Sequence, residues 1–204
     1  GNDLPFDTSQ CEQGRNFSNK IWNAYRLVSG WEVKDMEQPK SAQKAIAWFE
    51  AKFNKELAEI NDLFDKFKIS EALMAIYKLV WDDFCSWYLE MIKPGYEQPI
   101  DSRTLESTKV FFENILKLIQ PFMPFIAEEL WHQIRDRKEG EDVIIAPWPE
   151  VKPLDESILK GFDLAQETIT HIRNVRKQNN IANKVKMDLF LKKNTNYSDD
   201  FESV

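Results

Sequence analysis

Between residues 46 and 64 the apolar side chains fall at steps of three and four: Ile46, Phe49, Phe53, Leu57, Ile60 and Phe64. Such a stripe lies on one face of an α-helix, whereas a half-buried strand would alternate every second residue. The helical period returns along most of the chain. Helices are predicted over residues 9–29, 41–67, 71–93, 124–137 and 155–178, with a further one from Asp101 or Ser102 to 119, and only six glycines in 204 residues to interrupt them. The expected fold class is all-α, an antiparallel helix bundle with a short extended C-terminal segment.

Boundary chemistry agrees with these spans. Gly30 suits the left-handed conformation that ends many helices, and Ser41 and Ser70 are candidate N-caps. Pro94 and Gly95 forbid continuation of the third helix, and Pro124 suits the first turn of the fifth, after the break at "QPFMPF". "WEVKDMEQPKS" reads as a polar loop and "VIIAPWPEV" as an extended, proline-bounded connector. "VKMDLFL" alternates, which predicts a strand over 185–191 with no partner in this chain. A lone strand before a polar tail suggests a following α/β element that the sequence does not include. The organisation expected is a junction at 1–8, a helical domain at 9–180, and the start of that α/β element with its tail at 181–204. There is no internal repeat and no low-complexity run.

No stretch approaches the roughly 18 apolar residues needed to cross a bilayer, so no membrane partner is expected. "GNDLPFDTSQ" carries no basic segment followed by an apolar one, as a secretory signal would. Cys11 and Cys85 have no C-x-x-C spacing, and His132 and His171 stand far apart with no ligand motif around either. The reading is reduced thiols, a cytoplasmic location and no metal. A net charge of −7 argues against a generic nucleic-acid binder. The charge is uneven, however: between residues 168 and 193, Arg173, Arg176, Lys177, Lys184, Lys186, Lys192 and Lys193 face only Asp188.

Phosphate-loop, dinucleotide-fold and nucleophile-elbow motifs are absent, and no catalytic residue is assigned. Glu56, Glu59 and Asp62 are expected on a solvated face, and Asp82 and Asp83 in caps and interhelical hydrogen bonds.

The first helix is less ordinary. At about 100° per residue, Arg15, Asn19, Asn23 and Arg26 fall within about 80° of one another, while Phe17, Ile21, Ala24, Tyr25 and Val28 lie opposite. Asn is a poor helix former, and a solvated face is more simply made from Glu and Lys. Arg and Asn together hydrogen-bond base edges and stack on exposed nucleotides. The alternative is hydrogen bonding between helices inside the bundle.

"CEQGRNFSNKIWNAYRLVSGW" resembles the opening of the anticodon-binding helical domain of valyl-tRNA synthetases, a family of class I aminoacyl-tRNA synthetases. "DDFCSWYLEMIKP" and "LIQPFMPFIAEELWHQI" resemble the second and third markers of that domain, in the same order and spacing, so that the resemblance covers nearly the whole chain. Isoleucyl and leucyl enzymes share the bundle and variants of the last two markers. The G-R-N-F-x-N-K-x-W-N-A string favours the valyl family.

The resemblance implies a module that binds the anticodon loop and stem of valine tRNA. Other domains of the family form valyl adenylate from ATP, transfer valine to the tRNA and edit mischarged threonine. The His-Ile-Gly-His and Lys-Met-Ser-Lys-Ser types of motif that catalyse this are absent here, so the chain is expected to be a non-catalytic, monomeric fragment without a cofactor of its own. Its other partner would be the family's catalytic Rossmann domain. The expected RNA contacts are Arg15, Asn19, Asn23 and Arg26, with Trp31 as a stacking plane and Lys20 on a phosphate. Arg173, Arg176 and Lys177 would follow the anticodon stem. Trp31, Trp48 and Trp148 are candidates for exposure where the Rossmann domain packs. A helical protein-interaction scaffold is the alternative from another class, favoured by the acidic net charge.

Overall fold

A computed structural model describes residues 7–182, 184–188 and 190. Two units are distinguished, residues 1–153 and 154–204. The first is an all-α bundle of α1 (Thr8–Ser29), α2 (Lys40–Asp65), α3 (Ile69–Lys78), a π-helical segment (Leu79–Tyr88), α4 (Leu89–Ile92), α5 (Ser102–Ile119) and α6 (Pro124–Ile134). The second contains α7 (Glu156–Gln178).

The predicted helices are present, and several ends differ for local reasons. Asp7 caps α1 by accepting from the Ser9 amide at 2.8 Å. Gly30 closes it in a right-handed conformation, φ −85°, contrary to the left-handed cap expected. A Cβ at this position would stand 3.1 Å from the Arg26 carbonyl, so a close backbone approach is what favours glycine there. Neither Ser41 nor Ser70 is an N-cap: Pro39 and Lys68 hold those positions, and Gln43 reaches back to the Gln38 carbonyl at 3.1 Å. α2 stops before Phe67 in a Schellman turn, with Lys68 N–H bonded to the Leu63 carbonyl and Phe67 N–H to that of Phe64.

The third helix holds the largest departure. Over Leu79–Tyr88 the hydrogen bonding widens to the π register, and the Ser86 hydroxyl donates to the Trp81 carbonyl five residues back, at 2.8 Å. Leu79, Asp83 and Tyr88 are all buried, at steps of four and five. The wider turn keeps aromatic and apolar residues directed inward where a regular helix would rotate them out.

The core is aromatic. Phe49 lies 4.9 Å from the ring of Tyr88, 4.9 Å from Phe111 and 5.3 Å from Phe84. Trp48 is only 1% exposed, so it is a core residue and not the surface tryptophan expected, while Trp148 is 37% exposed. Glu56 also departs from its expected solvated face: it is buried and pairs with Lys52 at 2.9 Å.

Three short pieces were not expected. Val33–Lys34, inside the segment that reads as polar loop, pairs in parallel with Ile100–Asp101 just before α5, as β1 and β2. Val143–Ile145 makes one 3-10 turn within the connector expected to be extended. Among the described residues of 185–188 no strand forms, in contrast to the strand predicted over 185–191; Leu189 and Leu191 lie outside the described residues, as do Lys192 and Lys193.

Candidate nucleic-acid interface

The face of α1 toward the bundle buries Phe17, Ile21, Ala24 and Val28. Phe17 packs 4.8 Å from Tyr77, and the Tyr25 hydroxyl donates to the Gln133 carbonyl at 3.3 Å, which ties the helix to α3 and to the end of α6. Burial of this apolar half fixes the rotation of the helix and turns the other half outward.

Arg15, Asn19, Asn23 and Arg26 are all exposed. Among the described residues none of the four side chains makes a hydrogen bond or ion pair, so the interhelical bonding weighed as the alternative is not realised. The four are brought together as one polar strip with two guanidiniums and two amides. Lys20 sits at its margin, with Nζ 5.3 Å from the centre of the Trp81 ring. Trp81 in turn stacks on Tyr77, rings 5.4 Å apart and 15° from parallel. An ammonium over an aromatic face is held by the ring quadrupole, which restrains an otherwise flexible side chain.

Trp31, one residue beyond Gly30, is half-buried. A second tryptophan escaped the reading of the sequence. Trp22 lies about 20° from Arg15 around the helix axis, on the polar face itself. It is half-buried and 6.1 Å from the Tyr25 ring. The angular position that identified the four polar residues identifies Trp22 equally well.

The remaining predicted contacts belong to the second unit. Arg173 and Lys177 are exposed on α7, and Arg176 is half-buried. The Arg176 guanidinium donates to the carbonyls of Ala182 at 3.0 Å and Val185 at 2.9 Å, so it holds the chain that leaves the helix.

Asp82 and Asp83, weighed as capping or hydrogen-bonding carboxylates, have different fates. Asp82 is exposed, whereas Asp83 is buried in the π-helical segment, 3.8 Å from Lys52. No helix among the described residues is long and apolar enough to cross a membrane.

Comparison with known proteins gives this polar strip a context. Valine--tRNA ligase of Parabacteroides distasonis is 52% identical over 190 residues, 93% of this chain and 22% of that protein. Valine--tRNA ligase of Phocaeicola vulgatus is 57% identical over 189 residues, with the same coverage of 93% and 22%. That of Christiangramia forsetii is 49% identical over 205 residues, 100% of this chain and 23% of the relative. The chain thus spans less than a quarter of the length of these curated relatives. Residues 47–191 match the family described as the anticodon-binding domain of tRNA ligase. With most of its length inside that match, the chain belongs to the anticodon-binding domain family of tRNA ligases.

Proposed function

We propose that the outer face of α1 reads the anticodon loop of valine tRNA, on behalf of a ligase whose chemistry is done by domains beyond this chain. Bases in such a loop are unstacked and offer both their faces and their edges. Arg15 and Arg26 supply planar cations that stack or pair with them, Asn19 and Asn23 supply amides for base edges, and Trp22 and Trp31 supply stacking planes. Lys20, restrained over Trp81, takes a phosphate. Arg173, Arg176 and Lys177 take phosphates along the stem, Arg176 with part of its guanidinium already given to carbonyls.

The observation that carries this reading is the strip itself: two arginines and two asparagines exposed without a partner among the described residues, on a helix anchored by its other face, in a chain of the anticodon-binding family. Assignment to valine rests on relatives named as valine--tRNA ligases at about half identity or more. In this reading the chain is a cytoplasmic monomer that needs no cofactor; ATP is consumed by the catalytic domain to which it is joined in the full-length enzyme.

The test is binding of this chain to a valine-tRNA anticodon stem-loop and to one with its middle anticodon base changed, at low and moderate salt. Preference for the unchanged loop, with affinity falling as salt rises, supports the reading. Equal binding of both loops, or none, rejects α1 as the discriminating surface.

A further inference from the structure

Three potential metal ligands converge at the far end of α6, in a place the anticodon reading does not use. Glu128 and His132 stand one helical turn apart, and Asp142 returns to them from the loop that follows the helix. His132 Nε2 lies 2.9 Å from Glu128 Oε1 and 3.2 Å from Asp142 Oδ1, and the three donor atoms all fall within 4.8 Å of one another.

One nitrogen thus faces two carboxylates. Nε2 carries at most one hydrogen, which can point well at only one of the two oxygens. The two carboxylates thus converge on one nitrogen, and a cation among the three donor atoms would engage all of them at once. We propose that Glu128, His132 and Asp142 bind a divalent first-row transition-metal ion, of which Zn²⁺ is the representative.

The donor set fits that chemistry. Imidazole nitrogen with carboxylate oxygen suits zinc and its neighbours, whereas calcium or magnesium would call for oxygen alone. With metal–nitrogen and metal–oxygen bonds of about 2.0–2.2 Å, tetrahedral ligands stand roughly 3.3 Å apart, close to the separations found around Nε2. Two carboxylates also balance the charge of the ion.

The backbone holds these ligands. The Val143 amide is directed at both oxygens of Glu128, at 3.3 and 3.2 Å, and helps to orient the carboxylate. Asp142 is positioned by a clasp on the preceding loop: Trp131 Nε1 donates to the Glu141 carbonyl at 2.8 Å, and the Arg137 guanidinium covers the Trp131 ring at 3.5 Å. Glu128 and His132 also line a groove of about 540 Å³ with Gln120, Phe125 and Ile144, which leaves space for water as a fourth ligand. The ion would pin the loop of residues 135–142 to α6. The sequence carried half of this signal in the Glu128 and His132 pair at i and i+4, and the return of Asp142 supplies the rest.

The experiment is calorimetric titration of the whole chain with Zn²⁺ at neutral pH, with Co²⁺ absorption as a spectroscopic readout. Cys11 is exposed and would compete as a thiolate ligand, so the titration uses a Cys11→Ser background. One saturable site is expected, weakened at least about tenfold by His132→Ala and by Asp142→Asn. Zinc should raise the melting midpoint of the background chain and leave that of His132→Ala unmoved. Absence of saturable binding, or binding that neither substitution alters, overturns the proposal. Circular dichroism of both variants checks that the fold is retained.

Discussion

Lys52 on α2 places its ammonium 3.8 Å from the buried carboxylate of Asp83 in the π-helical segment. Glu56 holds the same ammonium more closely, at 2.9 Å, and Asp83 Oδ2 has no hydrogen-bond partner among the described residues. Burial therefore outweighs the attraction of Lys52 and pushes the Asp83 carboxyl up to about 6. Between about pH 4 and that value the folded chain holds a proton that the unfolded chain has lost, so this group favours folding at low pH and ceases to as pH rises. A rise of about two pH units corresponds to roughly 3 kcal/mol. Urea unfolding of Asp83→Asn should therefore gain on the native chain by about 2 kcal/mol between pH 4 and pH 7. A gap between the two that does not change with pH would contradict this.

Thr108 and Tyr88 form a buried pair with a fixed direction. The Thr108 hydroxyl donates its single hydrogen to the Thr104 carbonyl at 2.8 Å, so Tyr88 must be the donor across the 2.9 Å contact between the two side chains. Thr108→Val strands the tyrosine hydroxyl in the core and should cost about 1–3 kcal/mol in denaturant unfolding. Tyr88→Phe removes the donor and leaves Thr108 bonded to Thr104, so its cost should be the smaller of the two.

Phe67 occupies the left-handed region, φ 56°, at the end of α2, and its side chain is 87% exposed. The corresponding position after α7 is Asn180, φ 53°, a residue that tolerates this conformation. Little burial offsets the strain at Phe67. Phe67→Gly should stabilise the chain by roughly 0.5–1 kcal/mol, read as a rise in melting midpoint. A fall in midpoint would mean that the phenyl ring contributes more than its exposure suggests.

Arg15 and Arg176 should separate binding from stability. Arg15 is exposed without a partner among the described residues, so Arg15→Ala should leave unfolding within about 0.5 kcal/mol of native. Its affinity for the anticodon stem-loop should fall by about 1–3 kcal/mol. Arg176→Ala removes two bonds to carbonyls after α7 and should speed amide exchange around residues 180–182. Its effect on RNA binding should be a shallower salt dependence with discrimination between loops unchanged.

The parts of the fold legible from sequence are those with local causes. Helix period and cap chemistry place α5 behind Asp101, α6 behind Pro124 at its first turn and α7 behind Asp155. The polar strip of α1 was equally legible, because four side chains at helical spacing share a face wherever the helix is put. Trp22 is legible by the same reasoning, since it lies about 20° from Arg15 around the helix axis.

What escaped depends on partners distant in sequence. The π register of Leu79–Tyr88 leaves no local signature, since what selects it is the fit of Phe84 and Tyr88 around Phe49 on another helix. Glu56 reads as surface charge until Lys52 and Asp83 close over it, and β1 reads as loop until β2 arrives from 67 residues further on, at Val33 and Ile100. By itself the sequence determined the helices and the side chains that α1 presents, because both follow from 3.6-residue periodicity and caps within one turn. The tertiary structure alone decided which buried charges meet, where the helix widens and that Asp142 comes back to His132, because each of these is a contact between segments whose approach is set by packing.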